Sequence, residues 1–349
     1  MTRGARLGKT PDKTPMDQLS AHLDRGWDLA QRGDAAGASA CARRALELDP
    51  QSPEVHNLLG YTSALAGDAE EALDHYRQAI ALDETYLEAM LNAAEVLMNP
   101  LSEWDEAVSL CDDALEYAET KEEIADCILL RVDALLGKGD DAEARRSMAR
   151  LPEPPFENGS YTFLIGRAYY ELAEGAKALP FIEEAVRLDP EHPDAQYYLG
   201  LLRDDAGDGR GAVEAFLRSR ALDASRPAPP WAPSPEAFVQ VVKRALSGLD
   251  ALLGRYVRDA EVFIVDVPGA ELVVDGVDPR ALVVLDTRPQ EEEQGVAARL
   301  FVYQRNVERA AGTVANLEAE LAAGLEREIT SAFLDREPAS GTPDKTQLN

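Results

Sequence analysis

The sequence predicts a mainly α protein, in which a helical solenoid of about six helix–turn–helix repeats is followed by a small α+β domain. Three observations lead to this prediction. A set of small, turn and alanine positions recurs at an interval of 34 residues. A proline-rich stretch over residues 224–235 ends that pattern. Short runs of β-branched and aromatic residues come after it, as expected for strands.

The chain is long enough for two domains and apolar enough for a sizeable core. It has 349 residues, of which 45% are hydrophobic and 28% are charged. We expect a disordered tail at each end. The predicted segments are a tail over 1–18, repeats over 19–224, a linker over 225–235, the α+β domain over 236–336 and a tail over 337–349.

The repeat is clearest in one small residue of each first helix, placed where two helices must approach closely. Gly60 lies 34 residues after Gly26, and the later repeats return to the same interval. The fourth repeat is weaker, because Val132 stands at this position. The small residues are Gly26, Gly60, Ala94, Gly166 and Gly200.

A glycine followed by an aspartate separates the two helices of a clear repeat. Glycine can adopt the left-handed conformation that ends the first helix, and aspartate can cap the second. The second helix carries an apolar stripe at spacings of four and three, as in Ala72, Tyr76 and Ala79 or in Ala178, Ile182 and Ala185. Pro50 and Pro190 then end the helix. The turns are Gly33–Asp34, Gly67–Asp68, Gly139–Asp140 and Gly207–Asp208.

These positions together resemble the tetratricopeptide-repeat (TPR) family, whose repeat has the same length. The alternative is an ordinary helical bundle. The resemblance implies a solenoid whose concave surface is lined by the first helices and binds an extended peptide or a helix of a protein partner. Each aromatic side chain could instead pack between helices. The predicted groove residues are Trp27, Asn57, Tyr61, Leu91, Asn92, Phe163, Arg167, Tyr170 and Tyr197.

Some members of this family grip a terminal carboxylate with lysine and asparagine side chains. Asn57 and Asn92 stand at plausible positions for such a clamp. However, Glu54, Glu88 and Glu95 occupy places where bases would be needed. The sequence therefore disfavours a carboxylate clamp.

The segment after the linker changes pattern. One helix is predicted over residues 236–253, followed by strands that begin near Glu261, Glu271, Ala281 and Arg299. A last helix is predicted over residues 314–334. The acidic run Glu291–Glu293 is expected to be an exposed loop between two strands.

This order resembles the small zincin-like metallopeptidase domain found in many bacteria. FVYQRNVERAAG from Phe301 is similar to the strand that leads towards the family's site helix, and LEREITSAFLD from Leu325 is similar to that helix. The family's motif is H-E-x-x-H, in which both histidines bind zinc. Here Glu328 keeps the glutamate, whereas Arg327 and Ser331 stand at the two ligand positions. The resemblance therefore implies a vestigial active-site helix that has lost its metal.

The charge of the chain disfavours some classes of binding partner. The formal net charge is −29, which disfavours binding to nucleic acids and to anionic membranes. We expect a cytoplasmic protein, because neither a signal peptide nor a membrane span is visible.

Cys41, Cys111 and Cys127 are expected to be small core residues. The sequence TPDKT occurs in both predicted tails, at residues 10–14 and 342–346; coincidence is one explanation and Thr-Pro phosphorylation the other.

We find no phosphate-binding or dinucleotide-binding motif, and predict no cofactor, no metal and no catalytic residue. The sequence thus favours a non-enzymatic adaptor or scaffold that binds a protein or peptide partner. The alternatives are a regulatory subunit of a partner enzyme and a hydrolase with an unrecognised site. Six repeats also allow self-association.

Overall fold

The computed structural model describes residues 14–156, 158–289 and 296–333, which form two compact units. The boundary between the units falls inside one helix, between Phe181 and Ile182. The first unit contains α1 (Pro15–Gln31), α2 (Ala35–Leu48), α3 (Pro53–Ala66), α4 (Ala69–Leu82), α5 (Leu87–Met98), α6 (Trp104–Tyr117), α7 (Lys121–Lys138), α8 (Asp141–Met148), α9 (Ser160–Glu171) and the first half of α10 (Gly175–Leu188).

The second unit continues with α11 (Pro193–Asp205), α12 (Gly209–Ser225), α13 (Pro235–Gly248), α14 (Ala251–Val257), β1 (Glu261–Val265), α15 (Ala270–Val274), β2 (Val283–Pro289), β3 (Val296–Tyr303), α16 (Gln304–Ala311) and α17 (Leu317–Phe333). The fold class predicted from the sequence is confirmed, because helix pairs precede a small three-stranded sheet.

Each helix pair is built as the repeat pattern predicts. The four predicted turn glycines have positive φ, and Gly67 with φ of 88° ends α3. Asp34, Asp140 and Asp208 each accept a hydrogen bond from a backbone N–H in the first turn of the following helix, whereas Asp68 makes no such bond.

The small residue of the first helix is required by close packing. A Cβ atom added to Gly60 would lie 2.6 Å from the Tyr76 ring, and one added to Gly200 would lie 2.4 Å from Phe216. The alanine stripe of the second helices is buried at Ala72, Ala79 and Ala178, among others.

The three cysteines are buried and unpaired, so they are core residues as predicted. Burial raises the pKa of the Cys111 thiol to about 12 and that of Cys127 to about 11. The neutral, poorly nucleophilic thiol is therefore the form present near neutral pH.

The sheet of the second unit has the order β1–β3–β2, with β3 parallel to β1 and antiparallel to β2. Phe263 pairs with Phe301, and Leu285 pairs with Leu300. Its core combines the sheet with the surrounding helices. The core residues are Phe238, Val241, Val242, Ala245, Val257, Val283, Leu285, Leu300, Val302, Val307, Ala311, Leu317, Leu321, Leu325 and Ile329.

Three predicted elements are wrong in detail. The single helix predicted over 236–253 is two helices, because Asp250 interrupts it and accepts a hydrogen bond from the Leu252 N–H at the start of α14. The strand predicted near Glu271 is the short helix α15, which the backbone carbonyl of Gly269 initiates. The last helix starts at Leu317, after a 3₁₀ turn over Val314–Asn316.

The ends of the predicted segments also differ. Helix α1 begins at Pro15 rather than at residue 19, with Thr14 as its N-cap in a capping box with Asp17. Several predicted features lie outside the described residues. They are residues 10–13 of the first TPDKT copy, the whole second copy, the acidic run Glu291–Glu293 and the C-terminal tail. Within the described ranges, no helix is long and apolar enough to cross a bilayer.

The predicted linker is non-helical from Arg226 to Ser234, and hydrogen bonds and packing hold it in place. The Arg305 guanidinium donates through Nη1 to the carbonyl oxygens of Ala224 and Arg226, at 2.9 and 2.6 Å. Gln304 donates to the carbonyl of Pro233, and Trp231 packs against the core of the second unit. The linker is therefore fixed to α16 and to the domain that follows.

Candidate functional site

A groove with a volume of about 710 Å³ lies in the first unit. It is formed by the first helices of three successive repeats, α5, α7 and α9. Its lining residues are Tyr86, Leu87, Glu88, Leu91, Asn92, Glu95, Glu123, Asp126, Leu129, Leu130, Asp133, Leu164 and Arg167.

The lining follows the repeat register. In the third and fourth repeats, the groove is lined by the residues six before, three before and one after the small-residue position. In the third repeat these are Glu88, Leu91 and Glu95, and in the fourth they are Asp126, Leu129 and Asp133. Spacings of three and four place them on one face of each helix. In these two repeats, the concave face therefore carries a row of leucines between two rows of acidic residues.

The groove is strongly acidic. Five carboxylates and one guanidinium line it among the described residues. Arg167 lies 2.8 Å from an oxygen of Asp133 and so offsets that charge. Asp126 accepts a hydrogen bond of 2.7 Å from the Tyr161 hydroxyl, which leaves its charge uncompensated.

Confinement in the groove raises the pKa of three of its carboxyl groups. Desolvation raises the pKa of Glu95, and the charges of Asp133 and Asp126 raise it further. Desolvation raises the pKa of Asp126, with Glu122 and Glu123 adding to the effect. Desolvation also raises the pKa of Asp133, although Arg167 opposes it. The carboxylates repel one another, so a cation between them would be stabilised.

An asparagine pair supports one wall of the groove. The Asn92 amide donates to Asn57 Oδ1 at 3.0 Å, and the Asn57 amide donates to the Tyr86 hydroxyl at 3.2 Å. Asn57 is completely buried, so it is a packing residue. The sequence predicted that it would face a partner, but it is not accessible to one. Its role is to hold Tyr86 and Asn92 in place.

The other predicted groove residues of the first unit divide into two groups. Leu91, Asn92 and Arg167 line the groove. Trp27 and Tyr61 are half-buried and pack on each other with ring centroids 5.2 Å apart, outside the groove. Two further aromatic residues also lie outside it: Phe163 is buried in the helix packing, and Tyr170 is half-buried.

Tyr197 of the last repeat is already covered by the chain itself. Its hydroxyl donates to Asp278 at 2.8 Å, and the Arg280 guanidinium lies 4.4 Å from the centre of its ring. Arg280 also forms ion pairs with Asp194 at 2.7 Å and with Asp223 at 3.0 Å. The prediction that Tyr197 faces a partner is therefore wrong, because the loop before β2 occupies it.

The predicted vestigial helix residues Arg327, Glu328 and Ser331 line a cavity of about 340 Å³ near β2. Glu328 has a structural role there, because it accepts a hydrogen bond of 2.8 Å from the backbone N–H of Leu285. The bond satisfies this backbone N–H on the edge of β2 that is not paired with β3. Among the described residues, no three His, Cys, Asp or Glu side chains form a metal-holding group.

The acidic character of the groove is absent from the sequence prediction. Asp126 and Asp133 are not among the predicted groove residues, and Glu88 and Glu95 appear there only as residues that disfavour a carboxylate clamp. The signal was present, since an acid stands six residues before the small-residue position in four repeats. These acids are Glu54, Glu88, Asp126 and Asp194.

Comparison with known proteins identifies the repeats. A sequence model of the tetratricopeptide repeat matches residues 23–86 and 163–227. In structure, the chain is similar to the pilF protein of Pseudomonas aeruginosa. The TM-score is 0.51 at 19% identity, covering 61% of this chain and 96% of the other. At that identity the likeness establishes the fold alone.

Two curated proteins share shorter segments. A probable biofilm formation methyltransferase WspC of Pseudomonas putida is 38% identical over 69 residues, which are 20% of this chain and 16% of that protein. The BBSome complex member bbs-4 of Caenorhabditis elegans is 22% identical over 191 residues, 54% of this chain and 40% of that protein. The chain thus spans less than half the length of either relative.

Proposed function

We propose that this tetratricopeptide-repeat protein is a non-enzymatic adaptor that binds a protein partner in the groove formed by α5, α7 and α9. The observation that supports the proposal best is the groove itself. It spans the first helices of three successive repeats, and its leucines offer apolar contact area beside polar side chains. Repeat solenoids typically bind extended segments or helices on such a surface.

The charge of the groove supports a protein partner over a nucleic acid. Five carboxylates against one guanidinium would repel a phosphate backbone. A catalytic role for the first unit has no support in its thiols, because the Cys111 and Cys127 side chains are buried and their pKa values are raised.

The C-terminal domain completes the proposal as a degenerate zincin-like domain that acts as a structural cap. The order of α13, the sheet and α17 fits that resemblance, and Glu328 bonds the edge strand β2 instead of facing a metal. Asp278 and Arg280 attach this domain to α11 and α12 of the last repeat. Control of a partner enzyme remains the second candidate, since a domain fixed in this way could be carried to such a partner.

Site-specific photo-crosslinking in native extract tests the adaptor role. A benzophenone side chain at Leu91 would lie inside the groove, whereas one at Leu48 would lie on an exposed second helix of the same unit. We expect one protein to crosslink at position 91 and not at position 48. This crosslink should disappear when Leu129→Asp is added in the groove.

The crosslinking pattern also defines the contrary result. Equal crosslinking at both positions, or none at position 91 with a folded protein, would rule out the groove as the binding surface. Circular dichroism of each variant shows whether the helical fold is intact.

A further inference from the structure

We infer that the groove of the first unit binds an arginine-bearing segment of the partner, holding its guanidinium as the last repeat holds Arg280. The inference rests on the proposed function and adds the chemistry of the occupant. The same repeat positions recur in two places in the chain, the last repeat and the groove.

The last repeat shows what these positions can hold. Asp194 stands six residues before Gly200, and Tyr197 stands three before it. Arg280 lies against both, as an ion pair with Asp194 and over the ring of Tyr197. Its side chain is only 6% exposed, and Asp223 of α12 provides a second carboxylate. The concave positions of this repeat therefore form a receptor for an arginine.

The groove presents the same positions without such an occupant among the described residues. Glu88 and Asp126 correspond to Asp194, and Leu91 and Leu129 correspond to Tyr197. The leucines would pack along the aliphatic stem of an arginine, as apolar surfaces commonly do. The tyrosine ring is lacking at these positions, but Tyr86 lines the groove close to Glu88.

The second carboxylate is provided differently in the groove. In the last repeat it comes from the second helix, whereas here Glu95 and Asp133 stand one residue after the small-residue position of their repeats. Asp133 is paired with Arg167, which shows that a guanidinium fits between these helices. Glu95 and Asp126 also have no described cation beside them, and burial raises the pKa of both carboxyl groups. They are the residues expected to bind the incoming arginine.

The occupant follows from charge complementarity. A guanidinium forms paired, charge-assisted hydrogen bonds with carboxylates, and it is less strongly hydrated than an ammonium group. An arginine flanked by apolar residues matches the alternation of acids and leucines along the groove. An acidic or phosphorylated segment would be repelled by the same side chains.

Fluorescence anisotropy with the full-length protein tests this inference. The probe is a labelled peptide of alternating leucine and arginine, and the matched peptide replaces each arginine with citrulline, which has the same shape without the charge. The test variant is Glu95→Gln with Asp126→Asn. The control variant, Glu47→Gln with Glu116→Gln, makes the same charge change at exposed positions of α2 and α6.

We expect the test variant to weaken binding of the arginine peptide by about tenfold or more, and the control variant by less than about twofold. The citrulline peptide should bind at least about tenfold more weakly to the wild-type protein. Equal binding of the two peptides, or equal loss in the two variants, would overturn the inference, because non-specific attraction to an acidic protein gives that result.

The outcome is separable from that of the proposed function. A partner that crosslinks at position 91, together with equal peptide affinities, would retain the adaptor role and reject the arginine. Absence of the crosslink with a folded protein would reject the adaptor role whatever the peptides do.

Discussion

The third and fourth repeats and the last repeat use the same positions of one motif in different ways. In the last repeat, Asp194 and Tyr197 are covered by Arg280 from the loop before β2. In the third and fourth repeats, Glu88, Leu91 and their counterparts line an accessible groove of about 710 Å³. The repeat register thus fixes which side chains face the concave side. What covers them depends on the rest of the chain.

The difference also explains how the carboxylates behave. Asp194 and Asp223 have a guanidinium beside them, and their repulsion is compensated within the fold. Glu95 and Asp126 lack this compensation, and their pKa values are raised. Placing unpaired acids on a concave face costs stability, which is a common property of binding sites.

The largest effect is expected for Arg280→Ala. It removes the cation between Asp194 and Asp223 and breaks the ion pair of Asp223, whose side chain is only 9% exposed. Breaking a buried ion pair in this way costs about 3 kcal/mol. Calorimetry of the full chain should show the loss, while Arg210→Ala, whose side chain is 91% exposed, should change stability by less than about 0.5 kcal/mol. Similar effects of the two variants would show that Arg280 does not fasten the last repeat.

The second effect tests the wall of the groove. Asn57→Ala leaves the Asn92 amide and the Tyr86 hydroxyl without their partner, which should cost about 2 kcal/mol. Asn92→Ala removes only one of the two hydrogen bonds and should cost about 1 kcal/mol. Urea unfolding measures both variants. A neutral Asn57→Ala variant would mean that the wall does not depend on this network.

A smaller effect is expected for Tyr197→Phe. The change keeps the ring under Arg280 and removes only the hydroxyl that donates to Asp278. The cost should be about 1 kcal/mol, with no change in affinity for the arginine peptide. Tyr117→Phe at an exposed position is the matched control. If peptide binding fell in Tyr197→Phe, the last repeat would be an open binding surface after all.

The smallest expected effect is a pH-dependent change in stability for a variant of Glu95 in the groove. Because the folded-state pKa of Glu95 is raised above its ordinary value of 4.5, its ionisation destabilises the fold at neutral pH. Glu95→Gln should therefore stabilise the protein at pH 7, by less than about 0.5 kcal/mol because the side chain keeps contact with solvent. The gain should disappear as the pH falls through the raised pKa towards 4.5.

Chemical denaturation across this pH range checks the prediction. A gain that grows at acid pH would have the opposite sign and would imply a stabilising partner for Glu95. Glu47→Gln, at an exposed position of α2, is the matched control.

Much of the fold could be predicted because the same packing and turn requirements recur in successive repeats. Gly60 and Gly200 are needed for close packing, and the turn glycine Gly67 adopts positive φ, so each leaves a local signature in the sequence. Helix α15 could not be predicted, since ELVVDG has strand-like composition. The backbone turn at Gly269 and the burial of Val273 decide its conformation instead.

The site was harder to predict than the fold for a physical reason. Register identifies the concave face, and the predicted residues Leu91, Asn92 and Arg167 line the groove. It does not show which positions are covered by distant segments. Arg280 lies 83 residues after Tyr197 in the chain, and only folding brings them together. The burial of Asn57 likewise depends on Tyr86 and Asn92, which belong to the next repeat.

Thiol labelling inside the groove tests most directly whether a partner segment occupies it. The native cysteines are buried with no disulfide, so a single Leu91→Cys change introduces the one reactive position, and Leu48→Cys provides the exposed control. Saturating arginine–leucine peptide should slow maleimide labelling at position 91 by about tenfold or more and leave position 48 unchanged. Labelling at position 91 that is equally fast with and without the peptide would contradict the account, because the groove would then be empty when the peptide is bound.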